Sequence, residues 1–423
     1  MNVWVVTTHD PIPVVDSSIR PLRYGLLSDS LINMGHSVVL WTSEFAHWNK
    51  QDRKINKRTI DIAPGFTAEF LKASPYYKNR SFARLVHNKT IANSFCTRAT
   101  NYMRLPDIII AEIPCLELAE AASQFAKANN IPFVVDIQDI WPDVYLFYLP
   151  NWLRSLGRLC LMSEYSRLKN IIKNSTSVTA VSHTYLEWAT QKVGRSIELT
   201  DRVFELGYSL PNTSTNLEAV ALQQSFLQDQ NITSDMFVIS FLGQFGHSYD
   251  LNTVIAAAAL LQNDLSLPKH RFVLAGSGDS ETQLRKQATN VRSVIFTGWL
   301  NHAASVALMM STDIALAAYK GRALQSLPYK PFEYMAFGLP ILNSLNGELS
   351  ELIMRESIGM NYHSGDPHSL ATAIRRFMRD PDYTAACSRR SSQLFKLRYE
   401  SNIIYASMTS HLENIACSIR RPR

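Results

Sequence analysis

The sequence has few cysteines and no long apolar run. Its five cysteines lie far apart, and none belongs to a C-x-x-C pair. Scattered thiols of this kind are typical of a reducing compartment and argue against a metal site. No window reaches the roughly 18 apolar residues that a membrane-spanning helix needs, and MNVWVVTTHD has no basic segment before its apolar run. We therefore expect a cytoplasmic chain that begins with a strand and not with a signal peptide.

Two nucleotide-binding fingerprints are also absent. No G-x-G-x-x-G with a downstream acid follows the first predicted strand, and no G-x-x-x-x-G-K-[ST] occurs anywhere. These absences argue against a dinucleotide oxidoreductase and against a P-loop enzyme. The formal net charge of +6 is modest. It favours anionic partners such as phosphates, nucleotides or a lipid surface, without indicating nucleic acid.

The 423 residues exceed the usual size of one domain. Short β-branched runs alternate with helical patterns in two series, and most runs are apolar on both faces, as parallel strands covered by helices must be. This pattern predicts an α/β protein with two doubly wound, Rossmann-like domains facing a central cleft. We expect the first domain at 1–206, a polar linker at 207–220, the second domain at 221–385, and a C-terminal helical segment at 386–423 that packs back on the first domain. The strands are predicted at 3–8, 37–42, 107–112, 132–137 and 177–182, and then at 236–246, 270–279, 293–299, 312–319 and 340–344.

Glycines follow three strands of the second series. Turns of this type allow the backbone to approach a phosphate closely, and the free N–H groups of a following helix attract anions. An ordinary strand-to-helix turn uses glycine too, so each turn alone is weak. Together they outline a shelf of the size of a nucleotide, at Gly243, Gly246, Gly276, Gly278 and Gly298.

The segment LPYKPFEYMAFGLP at 327–340 carries two opposite charges at the predicted start of a helix. Glu333 in the first helical turn would be stabilised by the helix dipole, with or without a ligand. Lys330 is a cation where only anions are favoured. This placement indicates that Lys330 meets an anion from outside the chain.

The first domain has an acidic loop and a mixed loop at the ends of predicted strands. Asp136, Asp139 and Asp143 lie around Trp141-Pro142 and could bind a metal or sugar hydroxyls, act as a base, or cap a helix. The loop after the first strand carries polar side chains that strand polarity places on the ligand side, namely His9, Arg20 and Arg23.

Residues 66–104 combine seven lysines and arginines with one acid, Glu69. Five aromatic residues are interleaved with them. A solvated helix face explains such a run, and so does peripheral contact with an anionic membrane or a lipid diphosphate at the inner face of the plasma membrane. The aromatics are Phe70, Tyr76, Tyr77, Phe82 and Phe95.

Six segments together resemble a known family. They are RPLRYGLLSDSLINMGHSVVLWTS, VVDIQDIWPD, VTAVS, FLGQFG, FVLAGSGD and YKPFEYMAFGLPIL, in this order along both domains. They are similar to the retaining glycosyltransferases of the GT-B fold, family 4, of the type that builds bacterial surface polysaccharides.

The resemblance implies roles for individual residues. Glu333 would hold the ribose of a nucleotide, Lys330 the donor diphosphate, and Gly347 with Glu348 would face the donor. Asp139 would offer a polar group to the reacting sugar. The family's E-x7-E pattern would have a glutamate at 325, where this chain has Gln325.

The resemblance also implies an activity. The chain would transfer a sugar from a UDP- or GDP-sugar to a lipid-linked or glycan acceptor with retention, without metal or other cofactor and without nucleic acid. We expect domain closure over the donor. Two alternatives remain, a nucleotide-sugar epimerase of similar fold and a non-catalytic partner subunit.

Overall fold

The structure is a computed structural model that describes residues 1–12, 15–16, 20–47, 50–79, 81–147 and 149–420. The chain divides into two compact units. The first comprises Met1–Glu205 with Asn402–Arg423, and the second comprises Leu206–Ser401.

In the described ranges the first unit forms an eight-stranded sheet with the strand order β10-β9-β8-β7-β1-β2-β6-β5. All neighbouring strands are parallel except β5, which pairs antiparallel with β6. A separate hairpin joins β3 to β4. The bounds are β1 (Asn2–Val6), β2 (Ser37–Ser43), β3 (Phe45–Ala46), β4 (Gln51–Asp52), β5 (Thr59–Ala63), β6 (Phe66–Leu71), β7 (Ile108–Ile113), β8 (Phe133–Ile137), β9 (Ser177–Ala180) and β10 (Arg202–Val203).

The central strands of this sheet are buried on both faces because helices cover them. β1, β7 and β8 have no exposed residue, as expected of a parallel sheet. The first helix ends before Gly35, whose φ of 79° fits the left-handed position after a helix. The helices are α1 (Arg23–Asn33), α2 (Phe82–Thr100), α3 (Leu116–Ala128), α4 (Asp143–Phe147), α5 (Arg154–Cys160), α6 (Met162–Asn174) and α7 (His183–Val193), with a 3-10 turn at Asn151–Leu153.

The second unit forms a parallel sheet with the order β13-β12-β11-β14-β15-β16. Its strands are β11 (Phe237–Leu242), β12 (His270–Ala275), β13 (Val294–Gly298), β14 (Ile314–Ala317), β15 (Ile341–Asn343) and β16 (Gly359–Asn361). Its helices are α8 (Thr213–Asp229), α9 (Leu251–Leu261), α10 (Glu281–Gln287), α11 (His302–Met310), α12 (Tyr329–Ala336), α13 (Glu348–Glu356), α14 (Pro367–Arg379) and α15 (Pro381–Leu394), followed by a π-helical turn at Phe395–Tyr399.

One side of the second sheet is packed by two helices that differ in polarity. α9 is apolar almost throughout, whereas α14 places Leu370, Ile374 and Phe377 in the core and its arginines outside. The i, i+4, i+7 spacing of these three residues gives one apolar stripe. Both helices contribute to a single core with the apolar residues of β11, β12 and β14.

The expected linker and the expected C-terminal segment have different outcomes. The expected linker at 207–220 lies within the second unit, and from Thr213 it is helical because Asn212 accepts a hydrogen bond from the N–H of Thr215 and caps α8. The last helix is α16 (Ser401–Arg420). From Asn402 onward it belongs to the first unit, where Thr409 bonds Ser30 at 3.1 Å, whereas α15 remains in the second unit.

The predicted fold class is confirmed, and a strand overlaps each of the ten predicted ranges. The β5–β6 hairpin was not predicted, since the sequence around it was interpreted only as a charged surface. Three of the five aromatics in 66–104 that we assigned to that surface are buried in the first unit, namely Phe70, Tyr76 and Phe95. Arg80 of the same run lies outside the described residues. None of the helices in the described ranges has the length and apolarity to cross a bilayer.

Candidate active site

The sheet of the second unit has a topological switch point between β11 and β14. The chain leaves β11 toward β12 and β13 on one side and continues through β14, β15 and β16 on the other. Ligands of open α/β sheets bind at such a switch point, outside the carboxyl ends of the two strands. We therefore expect a ligand-binding site at the residues that follow β11 and β14.

Lys330 lies at this point. Its Nζ is 4.6 Å from the ring centroid of Phe241 in β11 and 4.0 Å from that of Tyr249. Tyr249 forms a β-bridge with Tyr319, two residues beyond the end of β14. Among the described residues, no carboxylate lies within ion-pair distance of Lys330. The half-buried ammonium group thus lies at the switch point on the faces of two aromatic rings. Such a cation–π interaction contributes about 0.5–2 kcal/mol.

Gly243 leaves room for the ammonium group of Lys330. A β-carbon at position 243 would lie 2.0 Å from Nζ of Lys330, and the φ of Gly243 is 146°. Any other residue would therefore displace the ammonium group and strain the backbone. The glycine at this position is explained by the lysine.

The glycine turns after β11 and β12 interlock. A β-carbon on Gly276 would lie 1.9 Å from the carbonyl oxygen of Gly243, and one on Gly278 would lie 2.8 Å from that of Phe245. The N–H groups of Gly243 and Phe245 donate to the carbonyls of Ala275 and Ser277, both at 2.8 Å. The two loops thus form one rigid surface beside Lys330.

The other two predicted glycines differ from these. Gly246 has no positive φ, and a β-carbon there would meet nothing within 4 Å. Gly298 has a φ of 73°, and its carbonyl accepts the N–H of Gly276 at 2.8 Å. The positive φ of Gly298 favours glycine at that position. At Gly246 neither the backbone conformation nor a close neighbour requires a glycine.

Glu333 does not lie in the first turn of its helix, contrary to our expectation. α12 begins at Tyr329, so Lys330 is its second residue and Glu333 its fifth. The helix dipole is therefore a weaker explanation for Glu333, since that effect falls off within the first turn. Lys330 and Glu333 are three residues apart and share one helix face. The side chain of Pro328, before α12, makes no capping hydrogen bond.

Gln325 and Glu348 belong to segments that meet through Ser326. The Ser326 hydroxyl donates to the Glu348 carboxylate at 2.9 Å. Gly347, with a φ of 82°, precedes α13, and Glu348 is the first residue of that helix. In the part of the chain that the structure describes, the side-chain oxygen of Gln325 is buried without a hydrogen-bond partner. Such an atom costs about 1–3 kcal/mol unless a ligand satisfies it.

In the first unit the switch point lies between β1 and β7, and a buried glutamate occupies it. Glu112 accepts hydrogen bonds from the N–H of Thr8 at 2.6 Å and from the hydroxyl of Thr8 at 3.0 Å, and it lies 2.8 Å from Nδ1 of His9. Burial raises the pKa of Glu112, but His9 and the hydrogen bonds outweigh it and hold the pKa below its ordinary value. His9 was predicted on the ligand side of this sheet, whereas Glu112 was not predicted as a site residue.

Arg23, expected on the acceptor side, is instead a structural residue. It is 1% exposed and binds Asp136 through two hydrogen bonds of 2.7 and 2.9 Å. Asp136 also accepts the hydroxyls of Tyr24 and Thr179, each at 2.7 Å. Arg20 is half-exposed on the same loop. Of these two arginines, only Arg20 has a side chain that can reach a ligand.

The three aspartates of the predicted acidic loop do not form one cluster. Asp136 lies inside the sheet with Arg23, and Asp143 is bound by Lys192 at 2.6 Å. Asp139 is half-buried and accepts only the N–H of Ile140, at 2.8 Å. Burial raises the pKa of Asp139 above its ordinary value. Within the described residues no three metal-binding side chains come together, and a metal-free reaction stays a prediction.

Comparisons with known proteins show what the chain is similar to. Residues 223–393 match the family model described as glycosyl transferases group 1. A GDP-mannose-dependent alpha-(1-6)-phosphatidylinositol dimannoside mannosyltransferase of Mycobacterium tuberculosis is 29% identical over 152 residues, 36% of this chain. The match spans only 37% of that relative's own length. The residues that match this family model all lie within the second unit.

Two solved structures extend the similarity to the whole chain. Sucrose-phosphate synthase from Thermosynechococcus elongatus superposes with a TM-score of 0.73, 16% identity and 99% coverage of both chains. The Anabaena protein HepE in complex with UDP superposes with a TM-score of 0.65 and 14% identity over 98% of this chain and 99% of that one. At these identities the similarity establishes the fold alone, which is of the GT-B type.

Proposed function

We propose that this protein is a retaining glycosyltransferase that binds a nucleotide-sugar donor on its second unit and transfers the sugar to a lipid-linked or glycan acceptor. The observation that carries this function is Lys330, a cation without a carboxylate partner among the described residues, at the switch point of a parallel sheet. The group 1 domain match and the donor-dependent relative support it.

The donor diphosphate is the anion that fits Lys330. The ammonium group lies on the glycine surface after β11, where the backbone has no side chain to hold a ligand away. The start of α12 adds backbone N–H groups, and its N-cap residue Pro328 makes no side-chain hydrogen bond to them. Such N–H groups, which form the positive end of the helix dipole, favour a phosphate. The ammonium group of Lys330 and the start of α12 thus bring positive potential to one point.

Glu333 fits the ribose of the same donor. It lies three residues after Lys330, a rise of about 4.5 Å along α12, on the same face. A carboxylate accepts hydrogen bonds from two neighbouring hydroxyls, whereas it would repel a phosphate. We therefore assign the diphosphate to Lys330 and the ribose hydroxyls to Glu333.

Transfer breaks the bond between the anomeric carbon and the diphosphate oxygen and forms one from that carbon to the acceptor oxygen. With retention, the new bond forms on the face that the diphosphate leaves, and the acceptor proton passes to the departing phosphate. Negative charge grows on the diphosphate as the bond breaks. A fixed cation such as Lys330 stabilises that charge more in the transition state than in the bound donor.

The donor base is tested by titrating UDP and GDP, and then their sugars, into the full chain by calorimetry and thermal shift. One similar protein is named for GDP-mannose and another is described with UDP. We expect one of the two diphosphates to bind and to raise the melting temperature, since a ligand that binds only the folded state stabilises it. The corresponding monophosphate should bind at least about tenfold more weakly, because charge-assisted hydrogen bonds are among the strong ones. No binding of either diphosphate would contradict the function.

The non-catalytic alternative is favoured by Gln325, which has an amide where the family pattern has a carboxylate, and by the segment GQFGHSYDL, which lacks the arginine and lysine often found there in the family. The buried side-chain oxygen of Gln325, without a partner among the described residues, suits a donor hydroxyl equally well. The two functions differ in turnover, because a non-catalytic subunit would bind a sugar nucleotide without cleaving the sugar from the diphosphate. Hydrolysis of the bound donor in the absence of acceptor therefore separates them.

A lipid-linked acceptor is supported by an exposed surface on the first unit, which we call the apolar basic surface and define as residues 77–79, 81–86 and 149–162. These segments contain no Asp or Glu. Phe82 is 80% exposed and Trp152 is 78% exposed. The segments meet at a groove lined by Leu85 and Leu161, with Glu117 and Glu164 of the neighbouring helices also in its wall. Exposed apolar side chains on segments that carry lysine and arginine suit an anionic bilayer surface.

Vesicle binding tests this surface. We expect the protein to bind vesicles that contain phosphatidylglycerol and not vesicles of phosphatidylcholine alone. The double substitution Trp152→Ala and Leu159→Ser should weaken that binding about tenfold or more, because it removes exposed apolar area from the lipid contact. Leu265→Ser, at a leucine that is 99% exposed on the second unit, is the matched control and should have no effect. Equal binding of the double variant and the wild type would refute the assignment.

A further inference from the structure

A group of basic side chains surrounds Tyr76 in the first unit. Nζ of Lys50 lies 4.7 Å from the ring centroid of Tyr76, and the guanidinium of Arg84 lies 5.8 Å from it. The ring of His87 lies 4.7 Å from the ring of Tyr76, and His47 hydrogen-bonds the Tyr76 hydroxyl. We call these five residues and His9, whose ring lies 4.5 Å from that of His47, the Tyr76 cluster.

Among the described residues, Lys50 and Arg84 of the Tyr76 cluster have no carboxylate within ion-pair distance, whereas His9 pairs with Glu112. Lys50 donates to the side-chain oxygen of Asn79 at 2.6 Å, and Arg84 donates to the backbone carbonyl of the same residue at 3.1 Å. Both acceptors are neutral. Arg84 also stacks 5.0 Å from the ring of Trp141, an arrangement that leaves guanidinium N–H groups at its edge for a ligand.

Burial and, to a smaller extent, neighbouring cations lower the pKa values of Lys50 and His87. Burial and the charge of Arg84 lower the pKa of Lys50 to about 8. Burial, against the hydrogen bond to Ser74, lowers the pKa of His87 to about 4, with Arg84, His9 and Lys50 adding to the shift.

Two carboxylates lie near the Tyr76 cluster. Glu112 pairs with His9 at 2.8 Å, and the charges of His9 and Arg84 act on Asp139 against the rise in its pKa that burial causes. In the described part of the chain, neither carboxylate lies within ion-pair distance of Lys50 or Arg84.

The position of the Tyr76 cluster is that of a ligand site. His9 follows β1, His47 follows the end of β2 at Ser43, and Tyr76 follows β6, three strands that are neighbours in the sheet. Arg84 lies in the first turn of α2. Loops at the carboxyl edge of a parallel sheet together with the start of a helix form the usual place for an anionic ligand.

We propose that the Tyr76 cluster binds a phosphate or diphosphate group of the acceptor, with Lys50 and Arg84 as the two cations that contact it. This assignment rests on the proposed function, which places the acceptor on the first unit. Arg84 lies on the ring of Trp141, and Trp141 lines the same groove as Leu85 of the apolar basic surface. A phosphate held by Arg84 can therefore carry a lipid chain that lies on that surface.

The test uses two probes on full-length protein that carries Lys330→Met, so that the donor site does not take up the phosphate. Inorganic pyrophosphate and geranyl diphosphate are titrated by calorimetry. We expect Arg84→Gln and Lys50→Gln each to weaken binding of both probes about tenfold or more, since each removes a charge-assisted contact. Lys89→Gln, an exposed lysine on the same helix, is the control and should leave binding unchanged.

The two probes distinguish the source of the phosphate. Tighter binding of geranyl diphosphate supports a lipid-linked acceptor, and equal binding of both supports a soluble phosphorylated one. Absence of binding of either probe, or equal weakening by Lys89→Gln, would overturn the assignment. These titrations do not involve the donor. A negative result here would therefore contradict only the phosphate site at the Tyr76 cluster, whereas failure of both UDP and GDP to bind would contradict the proposed function itself.

Discussion

Lys330→Met should lower kcat/KM for the nucleotide-sugar donor by about 10²–10³-fold, the effect of removing one fixed group that stabilises transition-state charge. Methionine keeps the apolar stem over Phe241 and Tyr249 and removes only the ammonium group, and its sulfur also packs well on aromatic rings. The melting temperature should therefore hardly change. Steady-state kinetics and thermal unfolding of the same preparation measure both effects.

The matched control for Lys330→Met is Lys286→Met, at an exposed lysine in the last turn of α10. It makes the same chemical change on the same unit, away from the switch point. We expect wild-type kinetics. A Lys330→Met protein with unchanged kcat/KM, or one that loses activity only because it no longer folds, would remove the basis for placing the diphosphate at Lys330.

Arg23→Met should destabilise the first unit by about 3–5 kcal/mol, because it leaves the carboxylate of Asp136 buried without its counter-charge. The side chains of Arg23 and Asp136 are almost fully buried, and no solvent can replace the lost partner. Adding Asp136→Asn should recover a substantial part of the loss, since the remaining oxygen can still accept the hydroxyls of Tyr24 and Thr179. Urea unfolding of the three proteins measures the series.

Arg104→Met, at an exposed arginine in the same unit, controls for loss of a positive charge and should change stability by less than about 0.5 kcal/mol. If Arg23 instead contacted the acceptor, Arg23→Met would leave stability unchanged and raise the KM for the acceptor. That result would restore the interpretation that the buried Arg23–Asp136 pair contradicts.

Much of the fold could be predicted because parallel strands buried on both faces appear as short continuous apolar runs. The start of α12 was harder. Pro331 is compatible with any position of the first turn, where no N–H bond is needed, so it did not fix whether Lys330 precedes the helix or lies inside it. The structure places Lys330 second, and this position changed the explanation of Glu333.

The surroundings of the charged residues could not be predicted, since they come from distant parts of the chain. Lys330 lies on Phe241 and Tyr249, roughly 80 to 90 residues away in sequence. Arg23 and Asp136 are separated by 113 positions. Sequence spacing can place a side chain at the carboxyl edge of a sheet, but it cannot tell whether that side chain points into the sheet or toward a ligand. Arg23 and Lys330 show the two outcomes.

The central claim is tested most directly by a crystal structure of the full chain with UDP or GDP bound, whichever binds in the titration. We predict a diphosphate oxygen within hydrogen-bond distance of Lys330 Nζ, about 2.7–2.9 Å, and the ribose hydroxyls on the carboxylate of Glu333. A nucleotide bound elsewhere, with Lys330 still resting on Tyr249 and touching no phosphate, would contradict the assignment of the donor site.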